Sequence, residues 1–337
     1  MINLYSDTQT RPTEDMRRAI ATADVGDEQR GQDPTTLRLQ ERVAELLGQE
    51  AGLFLPTGTM CNQISFRLHA RPGGDELILD RTAHPIIAEA GGPAQQAGLM
   101  INPIDGDGGI FTPEQLVAAL RPKGDRYKPR SRLVSVEQTT NMGGGRVWPL
   151  EAVQAIVKAA RDHRLRIHMD GARLMNAVVA SGVPAARFAG GFDTAWLDFT
   201  KGLGAPVGAV LCGSRELIDE AWRWKQMVGG AFRQSGIVAA GCLYALDHHL
   251  ERLTEDHALA RVLADGLAEF GVEVVPPETN IVIFGVPDAA AFLEQMERRG
   301  VELSGTPDGR VRAVTHLDVD QAAVEEALKA ARDVLLA

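Results

Sequence analysis

Short, almost unbroken apolar runs recur along the first two-thirds of the chain, and most are followed by apolar residues returning every three or four positions. The runs are AGLFL (51–55), ELILD (76–80), LMINPID (99–105), LVSVEQT (133–139), RIHMD (166–170) and AWLDFT (195–200). Runs of this length with no polar face predict strands buried on both sides. Between them the spacing predicts helices. Pro12 to Ala23 carries Met16 and Ile20 with Pro12 in the first turn, and Asp33-Pro34-Thr35 opens a second helix with Leu37, Leu39, Val43, Leu46 and Leu47. Pro113 to Leu120 and the stretch holding Val153, Ile156, Val157 and Ala160 read the same way. Strand and helix alternating through residue 213 predict an α/β fold with a mostly parallel sheet covered on both faces.

Beyond that point the pattern changes. Residues 214–246 hold two helical stretches joined by MVGGAFRQSG, and a long amphipathic helix is expected from Asp247, burying Leu250, Leu253, His257, Val262, Leu263 and Leu267. VEVVPP, NIVIFG, VELSG and RVRAVT then predict short strands, with a helix between the second and third. A last helix repeats Val324, Leu328, Ala331 and Leu335. The expected organisation is a large domain over 1–246, including an N-terminal arm, and a smaller α+β domain over 247–337.

A chain of 337 residues is long enough for two such units. Its net charge of −10 argues against nucleic acid or an anionic membrane as partner. No apolar run approaches the roughly 20 residues of a membrane span. MINLYSDTQT lacks the basic and apolar regions of a signal peptide, and Cys61, Cys212 and Cys242 are odd in number and far apart. Buried free thiols in a reducing cytoplasm are the expectation.

Candidate chemistry concentrates between His168 and Gly208. HMDGARL brings Asp170, Gly171 and Arg173 to the carboxyl end of one buried strand, and FTKGLG brings Lys201 to the end of the next. Open α/β sheets hold their ligands at those ends. A lysine able to form a Schiff base and a carboxylate able to keep a ring nitrogen protonated are what pyridoxal 5'-phosphate requires. Gly202 and Gly204 let the backbone beside Lys201 bend close to it. Thr57-Gly58-Thr59 falls where a strand turns into a helix, so its free N–H groups favour a phosphate. His84 lies just past another strand, and an imidazole there titrates near neutral pH. His168 and Asp170 share a strand face and also suggest a metal-dependent hydrolase, although neither HExxH nor a compact cluster completes a metal site.

HMDGARLMNA, FTKGLGAPVGAVL and GGAFRQSG, with SDTQTRPTEDM, VGDEQRGQDPT and FLPTGTMCNQ earlier in the chain, resemble the low-specificity L-threonine aldolases. These belong to the β-eliminating lyase group of fold type I (aspartate aminotransferase-like) pyridoxal-phosphate enzymes. The motifs run in family order over nearly the whole chain. The resemblance implies retro-aldol cleavage of L-threonine, L-allo-threonine or related β-hydroxy-α-amino acids to glycine and an aldehyde. It assigns Lys201 and Asp170 to the cofactor, Thr57, Gly58 and Thr59 to its phosphate, and His84 to ring stacking and proton transfer at the β-hydroxyl. Ser6, Arg173 and Arg312 would hold the substrate carboxylate, with Arg173 also among the cofactor-binding residues, and Glu89 matches a family glutamate. The GGAFRQSG join, with Gly229, Gly230 and Arg233, implies a homotetramer whose sites lie at a dimer interface.

Three positions depart from the family. Arg30 stands where a tyrosine is common, a second histidine is replaced near Tyr127, and Gln226, beside Lys225, stands where a basic residue is usual. On the family pattern these positions surround the substrate's β side. They leave β-elimination, dehydration or racemisation open on the same scaffold. A noncatalytic, regulatory pyridoxal-phosphate-binding protein is a further alternative, but it would be expected to have lost Lys201, Asp170 or a carboxylate-binding arginine, and none is lost.

Overall fold

The structure, a computed structural model, describes residues 1–71 and 73–336. The chain opens with strand β1 (Ile2–Asn3) and a 3₁₀ turn over Asp7–Gln9 capped by Ser6. Helix α1 (Glu14–Ala21) begins later than the Pro12 expected, because the Thr13 hydroxyl caps the Met16 N–H and sets the first turn beyond the proline. Helix α2 (Pro34–Leu47) starts as the sequence indicates, with Asp33 accepting from the Thr36 N–H and Pro34 in the first turn.

Strand and helix then alternate: β2 (Ala51–Leu55), α3 (Gly58–His69), β3 (Asp75–Asp80), α4 (His84–Ile87), α5 (Gly92–Ala97), β4 (Met100–Ile104), α6 (Pro113–Ala119), β5 (Arg130–Glu137) and α7 (Leu150–Asp162). They are followed by β6 (Arg166–Asp170), α8 (Leu174–Ser181), α9 (Ala185–Ala189), β7 (Thr194–Asp198) and β8 (Ala209–Gly213). Seven of these strands form one sheet in the order β2-β8-β7-β6-β5-β3-β4. All neighbours pair in parallel except β8, which runs antiparallel to both β7 and β2. Alternate strand residues feed two layers. Phe54, Val134, Ile167, Met169 and Val210 pack under α2, α7, α8 and α11, while Leu53, Leu55, Trp196 and Leu211 pack under α3 and α10. Double burial is why the strands read as apolar runs.

The remaining elements are α10 (Arg215–Met227), α11 (Gly236–His248), α12 (Leu253–Glu269), β9 (Glu273–Val275), β10 (Ile281–Gly285), α13 (Ala289–Arg298), β11 (Val301–Glu302), β12 (Ser304–Gly305), β13 (Val311–Val314) and α14 (Gln321–Leu335). The helix expected from Asp247 does not start there. Asp247 lies in the last turn of α11, the chain turns where His249 Nδ1 meets the Leu203 carbonyl at 2.8 Å, and α12 begins at Leu253. Val262 is partly exposed, and Ala260 and Ala264 take the buried side with Leu263 and Leu267. VELSG is split: β11 pairs with β1, whereas β12 joins the antiparallel sheet β12-β13-β10-β9. A second core of Leu263, Leu267, Val282, Phe284, Phe292, Val311 and Val324 includes Leu4, so the arm packs on the C-terminal unit. Among the described residues no helix is long and apolar enough to cross a membrane.

Candidate active site

The connections that follow β3 and β5 lead to opposite sides, to β4 and to β6, so the strand order reverses between β3 and β5 and opens a crevice at the carboxyl ends. His84 follows β3, Glu137 ends β5, Asp170 ends β6 and Asp198 ends β7, with Lys201 three residues on. The sheet register sets Glu137 directly beside Asp170.

Asp170 is buried and accepts from Asn62 Nδ2 at 2.8 Å and from the Ala172 N–H at 3.0 Å. Burial raises its pKa, opposed by the Asn62 hydrogen bond and by the charges of His84 and Lys201. Glu137 accepts from the His84 N–H at 2.8 Å and the Asn141 N–H at 2.6 Å, tying two loops of the crevice together. Burial, with the neighbouring Asp170 charge, pushes its pKa up to about 7. His84 is the half-open member, its Nδ1 lying 2.8 Å from Glu89 Oε1. Burial opposes protonation of His84, but the Glu89 hydrogen bond and the surrounding carboxylates outweigh it and raise the pKa. Lys201 pairs with Asp198, whose other oxygen accepts from the N–H and hydroxyl of Thr200.

Across the crevice, Arg173 gives Nε and Nη2 to the two oxygens of Asp7 at 2.7 and 2.6 Å. Its Nη1 shares the Asn141 side-chain oxygen with Arg312 Nη2, at 3.2 and 2.8 Å. Arg312 Nη1 reaches the Tyr5 carbonyl at 3.2 Å, while its buried Nε finds no acceptor among the described residues. Burial, and then the Arg173 charge, lower the Arg312 pKa to about 10. Of these two buried guanidinium groups only Arg173 is ion-paired among the described residues, with Asp7. Ser6 sits beside this cluster, its hydroxyl accepting from the Thr8 N–H at 3.2 Å.

Thr57 caps α3 through the Met60 N–H, leaving the Gly58 and Thr59 N–H groups at the helix start free of intrahelical acceptors. A side chain at Gly58 would overlap the Trp196 indole, so glycine is required for α3 to lie this close to β7.

Asp170, His84, Lys201, Arg173 and Arg312 lie close enough for their charges to act on one another, Ser6 adjoins Asp7, and the start of α3 reaches them through Trp196, which lies against both Gly58 and Lys201. Asp7, Asn62, Glu137 and Asp198 were missed by sequence reasoning. Glu137 and Asp198 carry the signal that marks Asp170, a carboxylate at the end of an apolar run; Asp7 and Asn62 carry no comparable signal. Arg30, Tyr127 and Gln226 are all exposed, and among the described residues none is hydrogen-bonded to the crevice. His168 is enclosed by Thr194 and Asn62 rather than open to the crevice. Arg233 pairs on the surface with Asp27, and the loop that carries it is held by Glu28, which accepts from the Phe232 N–H and the buried Lys225.

The donor set fits pyridoxal phosphate: a lysine, a buried carboxylate for a ring nitrogen, a helix start for a phosphate and an incompletely neutralised arginine pair. This sheet and crevice define the fold type I pyridoxal-phosphate enzymes. The Thermus thermophilus aspartate aminotransferase shares the fold at a TM-score of 0.77, with 17% identity over 99% of this chain and 91% of that one. Threonine aldolase from Leishmania major superimposes at a TM-score of 0.85, with 18% identity over 99% of this chain and 100% of its own. In sequence, the low specificity L-threonine aldolase of Escherichia coli K12 is 41% identical, covering 97% of each chain. The family model described as beta-eliminating lyase matches residues 3–289, and the chain belongs to that family. It is a pyridoxal-phosphate-dependent lyase.

Proposed function

We propose that the protein is a low-specificity aldolase that cleaves L-threonine, L-allo-threonine and related β-hydroxy-α-amino acids to glycine and an aldehyde. The observation that carries this reading is the buried Arg312 Nε–H without an acceptor, beside an Arg173 already committed to Asp7. A substrate carboxylate supplies the anion that this pair lacks, and a guanidinium clamp suits it. Ser6 completes the grip from the arm.

Held there, the amino acid presents its α-amino group toward Lys201 and its β-carbon toward His84. Thr57, Gly58 and Thr59 would hold the cofactor phosphate, Lys201 would carry the cofactor through its ammonium nitrogen and Asp170 would face its ring nitrogen. Bound pyridoxal phosphate supplies the electron sink for the pair released when the Cα–Cβ bond breaks. His84, oriented through Nδ1 by Glu89, takes the β-hydroxyl proton at its other nitrogen. Fixing the carboxylate fixes which Cα bond is aligned for cleavage, and positioning of that kind provides much of the rate.

The reading extends to a cytoplasmic homotetramer built from two-domain chains divided near residue 246, with separate cores in support. Arg30, Tyr127 and Gln226 are exposed on the protomer, so any influence on the β side of the substrate would be exerted across a subunit contact. Product analysis with L-threonine, L-allo-threonine and L-phenylserine tests the proposal. Glycine with the matching aldehyde is expected; ammonia and a keto acid without aldehyde would mean elimination instead.

A further inference from the structure

Asn62 has an orientation that its neighbours fix completely. Its Nδ2 faces two acceptor-only oxygens, Asp170 Oδ2 and Glu89 Oε1, each at 2.8 Å. Its Oδ1 lies 2.8 Å from the donor-only Trp196 Nε1. His168 Nε2, 3.0 Å from the same Oδ1, must therefore carry a hydrogen. Burial pushes the His168 pKa down to about 3, so the ring is neutral and its Nδ1 is an acceptor. That nitrogen takes the Thr194 hydroxyl hydrogen at 2.8 Å. With its hydrogen used, Thr194 Oγ1 accepts from His69 Nε2 at 2.9 Å, and burial keeps His69 neutral by lowering its pKa to about 4. Every donor in the sequence His69, Thr194, His168, Asn62 points the same way, and all four side chains are buried.

We infer that this one-directional chain of neutral hydrogen bonds tunes Asp170, with Asn62 as the positioning residue that delivers its effect to the carboxylate. The inference rests on the assignment of Asp170 to the cofactor's ring nitrogen. Burial favours the protonated carboxyl, and an Asp170 that kept a proton could not hold one on a ring nitrogen. Donors aligned head to tail polarise one another, so the last bond is stronger than an isolated amide bond. The chain supplies this stabilisation without adding a charge. Through Glu89 Oε1 the same amide also steadies the acceptor of His84 Nδ1, so one residue braces both Asp170 and the partner of His84.

The test breaks the chain far from substrate and cofactor, at Thr194→Val, with Thr194→Ser as the conservative control. Asp170 is also faced by His84, Lys201, Glu89 and Glu137, and neither substitution alters these groups. The T194V variant is expected to hold pyridoxal phosphate about threefold to tenfold more weakly, the worth of one hydrogen bond. The pH at which the bound cofactor's visible band changes is expected to move by about half a unit. T194S should restore both to within about twofold of the wild type. Wild-type affinity and an unmoved band in T194V would overturn the inference.

Should T194V fail to fold, histidine ¹⁵N resonances of the unaltered protein decide the matter without it. A neutral Nε2–H tautomer at His168 from pH 5 to 9 is expected; an Nδ1–H tautomer, or a charged ring, overturns the chain. A wild-type protein with that tautomer that takes up no pyridoxal phosphate would instead overturn the assignment of Asp170, and with it the purpose of the chain.

Discussion

Glu137 shows how a single strand-end carboxylate shapes the behaviour of the crevice. Its two oxygens hold the backbone of His84 and of Asn141, and Asn141 in turn lies between Arg173 and Arg312. Its folded pKa, about 7, lies above the roughly 4.3 of an unfolded glutamate. A group raised in this way favours the fold fully below its unfolded value and loses that contribution as pH climbs through the folded value. His84 is also raised, and its contribution likewise fades as pH rises through its folded value. Wild-type stability is therefore expected to fall between about pH 4.5 and 7 relative to Glu137→Gln, by on the order of 3–4 kcal/mol at most. Urea titrations at several pH values check this; parallel pH profiles for the two proteins would refute it. The strand-end rule that marks Asp170 in RIHMD marks Glu137 in LVSVE equally well, so this residue was legible in the sequence. Asn62 was not. An asparagine inside a helix reads as solvent-facing until its neighbours are known.

At the level of elements, the apolar runs were legible because both faces of the sheet are covered, and so was the glycine turn between β2 and α3. The break between α11 and α12 was not, because no glycine or proline punctuates residues 247–253 and the apolar spacing continues across them. The split of VELSG between two sheets was equally hidden, since β11 depends on a partner from the opposite end of the chain. Gly58 shows what the turn sequence does encode. The Trp196 indole, anchored through Nε1 to Asn62, occupies the space that a side chain at Gly58 would need. Gly58→Ala should push the start of α3 off β7 and displace the N–H groups assigned to the phosphate. A loss of about 1–3 kcal/mol in stability is expected, with pyridoxal-phosphate affinity reduced about tenfold. Denaturant unfolding and cofactor titration measure the two separately. Lost stability with full affinity would remove the phosphate from this helix start.

For the molecule as a whole, the cluster around Arg173 and Arg312 is where three separate parts of the chain meet. The arm gives Ser6 and Asp7, the seven-stranded unit gives Arg173 and Asn141, and the C-terminal unit gives Arg312 and Asn280. Asp7 touches all the others' territory at once, accepting from Arg173 and, at 3.1 Å, from Asn280 Nδ2. Burial works against its charge, and the Arg173 guanidinium outweighs burial and holds the carboxyl well below the usual carboxylate range. A depressed folded pKa means that the pair stabilises the protein at neutral pH and fails as acid is added, from about pH 3.9 downward. Asp7→Asn strands a buried guanidinium, so a cost of about 3–5 kcal/mol is expected. The same change frees Arg173 from its bidentate hold, and KM for the amino acid should rise about tenfold or more, a loss near 1.4 kcal/mol. Cofactor affinity should hold, because Asp170, Asn62 and the start of α3 make no hydrogen bond to Asp7 among the described residues. That split is the decisive readout. If stability and cofactor affinity both fell along with the rise in KM, Asp7 would be a general brace of the fold. A rise in KM at constant cofactor affinity would make the arm the part that builds the substrate's carboxylate site once the two units have come together.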